Sequence, residues 1–127
     1  MLGAAKFCLQ RAIDYSRDRT QFGVPLARKQ LVQAPIADLG SRLVAAMVLS
    51  LHFARLKDQG KLLPVQVSLL KRNNCRLALD TARTARELLG ANGITGEYDV
   101  LRHEVNLEST LTYEVTEQIH TLAIGRA

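Results

Sequence analysis

The stretch that decides the fold is residues 64–89, which read PVQVSLLKRNNCRLALDTARTARELL. Apolar and small residues recur along it at intervals of three and four, which is the spacing of one face of an α-helix. Pro64 suits the first turn of such a helix, because its missing N–H would have no partner there. The cluster Gly90-Ala91-Asn92-Gly93 then breaks the pattern. We therefore predict a helix over about 64–89, with an inner face of Val67, Leu70, Asn74, Leu77, Thr81, Ala85 and Leu88.

Two further helical patterns precede this stretch. The first runs from Leu2 to about Arg17, and its apolar side comprises Ala5, Cys8, Leu9, Ala12 and Ile13. The second runs from about Arg28 to Gln59, where Gly60 is well placed to end it. Pro35 lies inside this second pattern and is expected to kink the helix. The predicted inner face comprises Leu31, Ile36, Leu39, Leu43, Met47, Ser50 and Ala54.

Shorter helices are predicted after the deciding stretch, from Glu97 to about Glu108 and from about Thr116 onward. Thr116 is a suitable N-cap, and the acidic Glu117 follows it in the first turn. No segment alternates with period two. With 47% hydrophobic and 23% charged residues over 127 positions, the composition is typical of one globular domain and excludes intrinsic disorder. The predicted fold is all-α, an up-and-down four-helix bundle with a short extra helix.

The second predicted helix has more apolar surface than one bundle interface needs. Val44, Val48 and Leu51 widen its apolar stripe. Part of this surface is therefore expected to meet another domain or subunit. The longest apolar run, 43–54, contains a serine and a histidine and is too short to span a bilayer, so no membrane partner is expected.

Charge and metal-binding residue types narrow the function classes. Seventeen basic and twelve acidic residues give a net charge of +5, which favours anionic ligands. The basic residues are scattered and no aromatics alternate with them, so nucleic acid is not an expected partner. Cys8 and Cys75 form no CxxC pair and are expected to be reduced, buried thiols. The three histidines are isolated from one another, so no metal site is expected.

Three loops combine small or polar residues with a helix end, where unpaired backbone N–H groups can hold an anion. In Arg19–Pro25, the arginine could bind a phosphate and Phe22 could cover a flat ring. In Glu87–Gly93, the glycines could let a ligand approach the backbone. In Thr112–Gln118, the carboxylate of Glu114 could act as a general base. Each loop also fits an ordinary connection between helices, so the residues alone leave the function open.

Together and in this order, the three loops resemble elements of the C-terminal helical domain of flavin-dependent acyl-CoA dehydrogenases. Arg19-Thr20-Gln21-Phe22-Gly23 resembles the RxQFG element of that family. Leu89-Gly90-Ala91-Asn92-Gly93-Ile94 resembles its LGGNGI loop, and Tyr113-Glu114-Val115-Thr116 resembles its YEGT signature. The resemblance covers essentially the whole chain. Three stretches are similar to the glutaryl-CoA dehydrogenases within the family: Gln21–Arg28, Ser68–Cys75 and Arg102–Glu108.

This resemblance implies a domain assignment and an activity. Residues 1–127 would be the C-terminal helical domain, and the family's N-terminal helical and middle β domains would be absent from this chain. The activity implied is that of an FAD-dependent oxidoreductase acting on the CH–CH bond of an acyl-CoA. For glutaryl-CoA, α,β-dehydrogenation would be followed by decarboxylation to crotonyl-CoA.

The resemblance also implies site residues and partners. Glu114 matches the catalytic base that removes the α-proton, and Val115 lies where the substrate thioester would bind. The positions that match FAD-binding residues of the family are Arg19, Gln30, Glu87, Leu88, Leu89, Gly90, Ala91 and Thr116. Family members bind FAD partly across subunits, which implies a homotetramer or homodimer. Electron-transfer flavoprotein would accept the electrons, in the cytoplasm of a bacterium or the mitochondrial matrix of a eukaryote.

Three residues depart from the family pattern. Val115 and Ala91 each replace a glycine, and Pro35 falls where the helix of the family is continuous. A β-branched residue at 115 is expected to exclude the positive φ that glycine permits there. These departures keep a second hypothesis open, that of a non-catalytic helical assembly module or a truncated remnant of the family. The isolated chain is in either case expected to be inactive.

Overall fold

The computed structural model describes all 127 residues and contains five α-helices. They are α1 (Leu2–Asp18), α2 (Gln30–Asp58), α3 (Pro64–Leu88), α4 (Val100–Ser109) and α5 (Glu117–Gly125). A two-residue hairpin, β1 (Thr20–Gln21) and β2 (Val24–Pro25), joins α1 to α2, with Thr20 opposite Pro25. Short 3₁₀ turns span Leu26–Arg28, Gly90–Ile94 and Gly96–Tyr98. The predicted all-α class is confirmed, and the predicted helix boundaries are close to the observed ones.

Helix α3 is the centre of the molecule, since every other helix packs against it. Helix α2 runs antiparallel to it, because Ser50 bonds to Asn74 while Arg42 reaches forward to Asp80. Helix α1 runs parallel to α3. Met1, just before α1, contacts Cys75, and Tyr15 near the end of α1 accepts a hydrogen bond from Asn92 just beyond α3.

The fourth position of the bundle is shared by two short helices. Arg83 pairs with Glu108 of α4, whereas Arg72 donates to Thr121 of α5 over 2.9 Å. Glu108 of α4 thus lies beside Arg83, and the later residue Thr121 of α5 lies beside the earlier residue Arg72. The chain therefore runs antiparallel to α3 over this stretch. Helices α4 and α5 follow one another along α3, and the loop 110–116 that interrupts them carries Glu114.

The core lies between α1, α2, α3 and α4. Many of its fully enclosed side chains are small, since Ala5, Cys8, Ala12, Ala78 and Ala82 have no exposed surface. Small residues on facing helices allow α1 and α3 to approach each other closely. Both cysteines are free and buried, as predicted.

The inner face predicted for α2 is wrong in part. Leu39 and Leu43 are buried as expected, but Leu31 is 89% exposed and Met47 is 46% exposed. Ala54 is exposed as well, whereas Ile36 packs against the core as predicted. Ala46 also belongs to the core, and Phe53 is buried outside the main cluster. Because α2 is apolar over most of its circumference, its spacing pattern does not identify the face that packs inward. The inner face of α3 is confirmed at Asn74, Leu77, Thr81 and Ala85, whereas Val67 is half exposed because α1 begins opposite Cys75 and does not extend that far.

The kink predicted at Pro35 stays a prediction. Helix α2 continues as one helix through this residue, which lies in its second turn. Its 29 residues include a window of mean hydropathy 1.4, so by length and composition alone it is long and apolar enough to cross a membrane. The expectation that this region is too short to span a bilayer considered only residues 43–54, whereas the whole helix is long enough. Core helices of soluble proteins and signal sequences meet the same criterion.

Candidate functional site

The first two candidate loops lie together and enclose one cavity. Arg19, Gln21 and Leu26 form one side of it, and the end of α3 with the turn that follows forms the other. Its volume is about 450 Å³. Seven further lining residues are Tyr15, Glu87, Leu88, Leu89, Gly90, Ala91 and Asn92. The predicted residues Arg19 and 87–91 are thus brought to one place, although 68 positions separate them in sequence.

The hairpin after α1 sets the position of Arg19. The Arg19 N–H still donates to Tyr15 at 2.8 Å, and its carbonyl accepts from Leu26 at 2.9 Å. Phe22 and Gly23 adopt positive φ values of 54° and 77°, as a tight two-residue hairpin turn requires. Phe22 is therefore held at the tip with 92% of its surface exposed. This exposed ring is free to cover a flat group of a ligand or partner.

The turn after α3 presents its backbone to the cavity. Gly90 has a φ of 59°, in the left-handed region, and both Gly90 and Ala91 are exposed. Gly93 is buried against the backbone of Arg86, and Asn92 Nδ2 donates to the Tyr15 hydroxyl at 3.0 Å. The turn is consequently fixed on both sides, and the Arg19 guanidinium beside it is a donor of the kind that binds phosphates.

The loop that carries Glu114 has an unusual backbone. Glu114 and Val115 both have positive φ, 51° and 80°. The expectation that valine at 115 excludes this region is wrong, because the loop holds Val115 there despite its β-branch. Such a conformation is strained for a β-branched residue and persists only where surrounding contacts impose it. The Glu114 side chain is exposed and forms no hydrogen bond with the rest of the chain.

Two contacts with α3 hold this loop. Lys71 Nζ lies 2.7 Å from the Tyr113 carbonyl oxygen, 3.2 Å from that of Glu114 and 3.1 Å from that of Val115. Beyond the loop, Glu117 begins α5 and forms ion pairs with Arg72 and Arg76. The backbone of the loop is therefore fixed on both sides of Thr116, which occupies the predicted N-cap position of α5 but forms no side-chain capping hydrogen bond.

The candidate residues form two groups rather than one. Lys71 and Glu87 are 16 residues apart on α3, which corresponds to roughly 24 Å along a helix axis. Glu114, Val115 and Thr116 lie near the first of these, and Arg19 with 87–91 lies near the second. Gln30 begins α2 at the same end as Arg19 but does not line the cavity. Within one chain, the predicted base and the predicted phosphate-binding loops do not meet.

Sequence reasoning missed several residues of both groups. Lys71 belongs to a stretch noted for its resemblance, but its contact spans more than 40 positions and no spacing pattern indicates it. Tyr15 and Leu26 were assigned only to helix and loop, yet both line the cavity. For Gly93 the sequence left two explanations open, approach of a ligand or an ordinary helix end, whereas the structure shows a close approach to the backbone of Arg86.

Comparison with known proteins identifies the class. The family model for the acyl-CoA dehydrogenase C-terminal domain matches residues 1–127. The short-chain-specific acyl-CoA dehydrogenase of Megasphaera elsdenii is 32% identical over 126 residues, which are 99% of this chain and 33% of that protein. A glutaryl-CoA dehydrogenase structure from Mycobacterium smegmatis is 53% identical with a TM-score of 0.96, over 98% of this chain and 32% of the other. A glutaryl-CoA dehydrogenase from the same organism, in complex with FADH2, is 46% identical with a TM-score of 0.96 and the same coverage.

The chain therefore belongs to the acyl-CoA dehydrogenase family, as the order of its three loop motifs predicted. Members of this family are FAD-dependent oxidoreductases. The predicted similarity to glutaryl-CoA dehydrogenases is confirmed by the 53% identity to one of them. The chain spans about a third of the length of the relatives that it matches.

Proposed function

We propose that residues 1–127 act as the catalytic C-terminal domain of a glutaryl-CoA dehydrogenase. In this proposal Glu114 removes the α-proton of the acyl-CoA, and the oxidised product then loses its distal carboxylate to give crotonyl-CoA. The observation that carries the proposal is the presentation of Glu114, whose carboxylate is exposed and unpaired while its backbone is fixed by Lys71. A general base requires this combination, because its carboxylate must be free to reach the substrate and must be held in one place.

The residues around the cavity suit the pyrophosphate of FAD. Arg19 supplies a guanidinium that can bind a phosphate with two parallel hydrogen bonds. The exposed turn at Gly90 and Ala91 supplies backbone N–H groups without a large side chain to block them. In the proposal Arg19, Gln30 and 87–91 hold one part of FAD, and Thr116 and Val115 lie beside its reactive part and the thioester. FAD supplies the hydride acceptor for the oxidation.

The separation of the two groups supports an FAD site shared between copies of the chain. The base and the phosphate-binding loops are roughly 24 Å apart along α3, so each complete site would take one group from each of two chains. Helix α2 offers a surface for such an association, because Val44, Met47, Val48 and Leu51 are each about half exposed or more. We propose a homotetramer or homodimer that passes its electrons to electron-transfer flavoprotein.

A second function is favoured by a different observation. Val115 departs from the glycine of the family pattern and places a strained, branched side chain beside the proposed base. A chain that kept its packing surfaces and lost turnover would become an assembly module or a remnant of the family, and its exposed α2 face would remain in use.

The experiment that separates these functions is anaerobic reduction of the flavin in the protein that carries this chain. Glutaryl-CoA should bleach the flavin, and crotonyl-CoA and CO2 should appear in equal amounts when an electron acceptor is added. Butyryl-CoA serves as the control for substrate class. Bleaching by butyryl-CoA alone would retain the dehydrogenase and reject the glutaryl substrate. A protein that binds FAD and is bleached by neither would support the assembly function.

A further inference from the structure

We propose that Lys71 is a positioning residue for the reaction, which holds Glu114 where its carboxylate can reach the substrate. The inference rests on the proposed function, and it concerns a residue of α3 that none of the three loop motifs includes. Lys71 lies 43 positions before Glu114 and touches its backbone, not its carboxylate.

In this contact, one ammonium group lies close to three backbone carbonyl oxygens. Three successive carbonyl oxygens, those of 113, 114 and 115, lie 2.7, 3.2 and 3.1 Å from Lys71 Nζ. A lysine ammonium has three N–H donors, so the three oxygens match its full capacity. Successive carbonyls of an extended chain point in alternate directions, whereas here three of them converge on one atom.

The unusual backbone of the loop explains why such a contact is needed. Glu114 and Val115 both have positive φ, which neither residue type favours. Convergence of the carbonyls on a cation stabilises this conformation electrostatically, since charge-assisted hydrogen bonds are stronger than neutral ones. Without the cation, the loop can relax to ordinary φ values. The Glu114 side chain would then project from the backbone in a different direction.

The charge of Lys71 is not used elsewhere. Lys71 forms none of the eight ion pairs of the chain, while its neighbours Arg72 and Arg76 both pair with Glu117. Its ammonium also lies 5.5 Å from the centroid of the Tyr113 ring. All the partners of the ammonium therefore belong to the loop, which is the arrangement expected of a residue dedicated to holding it.

The test replaces Lys71 in the full-length, FAD-loaded protein and follows flavin reduction by glutaryl-CoA. Lys71→Met keeps the stem and removes the ammonium, and Lys6→Met, at an exposed lysine of α1, is the matched control. We expect Lys71→Met to lower the rate of flavin reduction by about 10- to 100-fold, since a displacement of about 1 Å has an effect of this size. FAD content and substrate affinity should stay unchanged, and the isotope effect with α-deuterated substrate should rise because proton removal becomes slower.

A double variant distinguishes positioning from packing. Glycine adopts positive φ without a side-chain penalty, so Val115→Gly should raise the rate of Lys71→Met at least threefold more than it raises the rate of the unchanged protein. Loss of stem packing would not be restored in this way. If Lys71→Met does not fold, Lys71→Arg replaces it and should lose less, because a planar guanidinium keeps the charge but cannot serve three convergent oxygens equally.

A Glu114→Gln variant measured in parallel distinguishes failure of the proposed function from failure of the role of Lys71. If Glu114→Gln reduces its flavin at the normal rate, the proposed function fails. If Glu114→Gln is inactive and Lys71→Met is as fast as the unchanged protein, only the role of Lys71 is overturned. A slow Lys71→Met that Val115→Gly does not restore, or one whose isotope effect is unchanged, also overturns it.

Discussion

Gly93 lies so close to Arg86 that a Cβ at position 93 would come within 2.2 Å of the Arg86 carbonyl oxygen. The glycine thus lets the turn after α3 fold back onto the last turns of that helix. Because the obstructing atoms belong to the backbone, they cannot move aside as a flexible side chain would.

Gly93→Ala should therefore destabilise the protein. Overpacking of this kind lowers the free energy of unfolding by about 1–3 kcal/mol, and thermal denaturation followed by circular dichroism would measure it. Gly96→Ala is the matched control, because no atom lies within 4 Å of a Cβ at position 96. Equal midpoints for the two variants would show that the close approach at Gly93 is not required.

Glu114→Gln should remove nearly all proton abstraction in the full-length protein while FAD and the CoA ester still bind. Glutamine has the same size as glutamate but cannot accept the α-proton. Loss of a general base lowers the rate by about 10² to 10⁴, which stopped-flow measurement of flavin reduction would detect. Glu97→Gln, at an exposed carboxylate away from the loop, is the control. Full activity in Glu114→Gln would assign the base to another residue.

Residues 1–127 expressed alone should fold as a helical protein and bind FAD poorly. The proposed phosphate-binding loops and the proposed base are roughly 24 Å apart along α3, so under the proposed function a single chain offers only part of a shared site. Circular dichroism would establish the fold, and titration with FAD would measure the affinity. A sub-micromolar dissociation constant for this chain would contradict the idea of a divided site.

The sequence was most informative where local rules decide the structure. Pro64 in the first turn of α3 and Thr116 at the N-cap position of α5 were both predicted correctly, although the Thr116 side chain forms no capping hydrogen bond. The buried face of α2 could not be predicted, because an apolar helix satisfies several packing directions and the choice depends on its neighbours. The contact of Lys71 with the Glu114 loop was equally inaccessible, since it depends on how α4 and α5 divide the length of α3 between them.

Burial of Cys8 should make the stability depend on pH above about 9. Desolvation by burial is the main cause that raises the pKa of the Cys8 thiol from 9.0 to about 11, and the nearby Glu104 raises it further while Arg102 lowers it. A thiol with a higher pKa in the folded state stabilises the fold below its unfolded pKa. This contribution is lost as the pH rises through the folded value.

Two pKa units correspond to about 2–3 kcal/mol. Between pH 9 and 11, the free energy of unfolding of the unchanged protein should therefore fall by about this amount more than that of Cys8→Ala. Urea denaturation at each pH would measure it. Parallel pH dependences in the two proteins would show that Cys8 does not titrate in this range.

Val115→Gly should both stabilise the loop and accelerate the reaction in the full-length protein. Val115 has a φ of 80°, and strain of this kind in a non-glycine residue costs about 1–3 kcal/mol. Glycine removes the strain but loses about 0.5–1 kcal/mol through its greater freedom in the unfolded chain. The free energy of unfolding should therefore rise by about 1 kcal/mol.

The rate should rise because the branched side chain beside Glu114 is removed, while Lys71 still holds the three carbonyls of the loop. Stopped-flow measurement of flavin reduction by glutaryl-CoA would compare the two proteins. The control is Val115→Ala, which keeps the strain and removes only the branch. Val105→Gly would be a poor control because Val105 lies within α4. An increase in both variants assigns the effect to space beside the carboxylate, and an increase in Val115→Gly alone assigns it to relief of the backbone. A Val115→Gly protein that is slower than the unchanged one would show that Val115 assists the position of the base, contrary to this prediction.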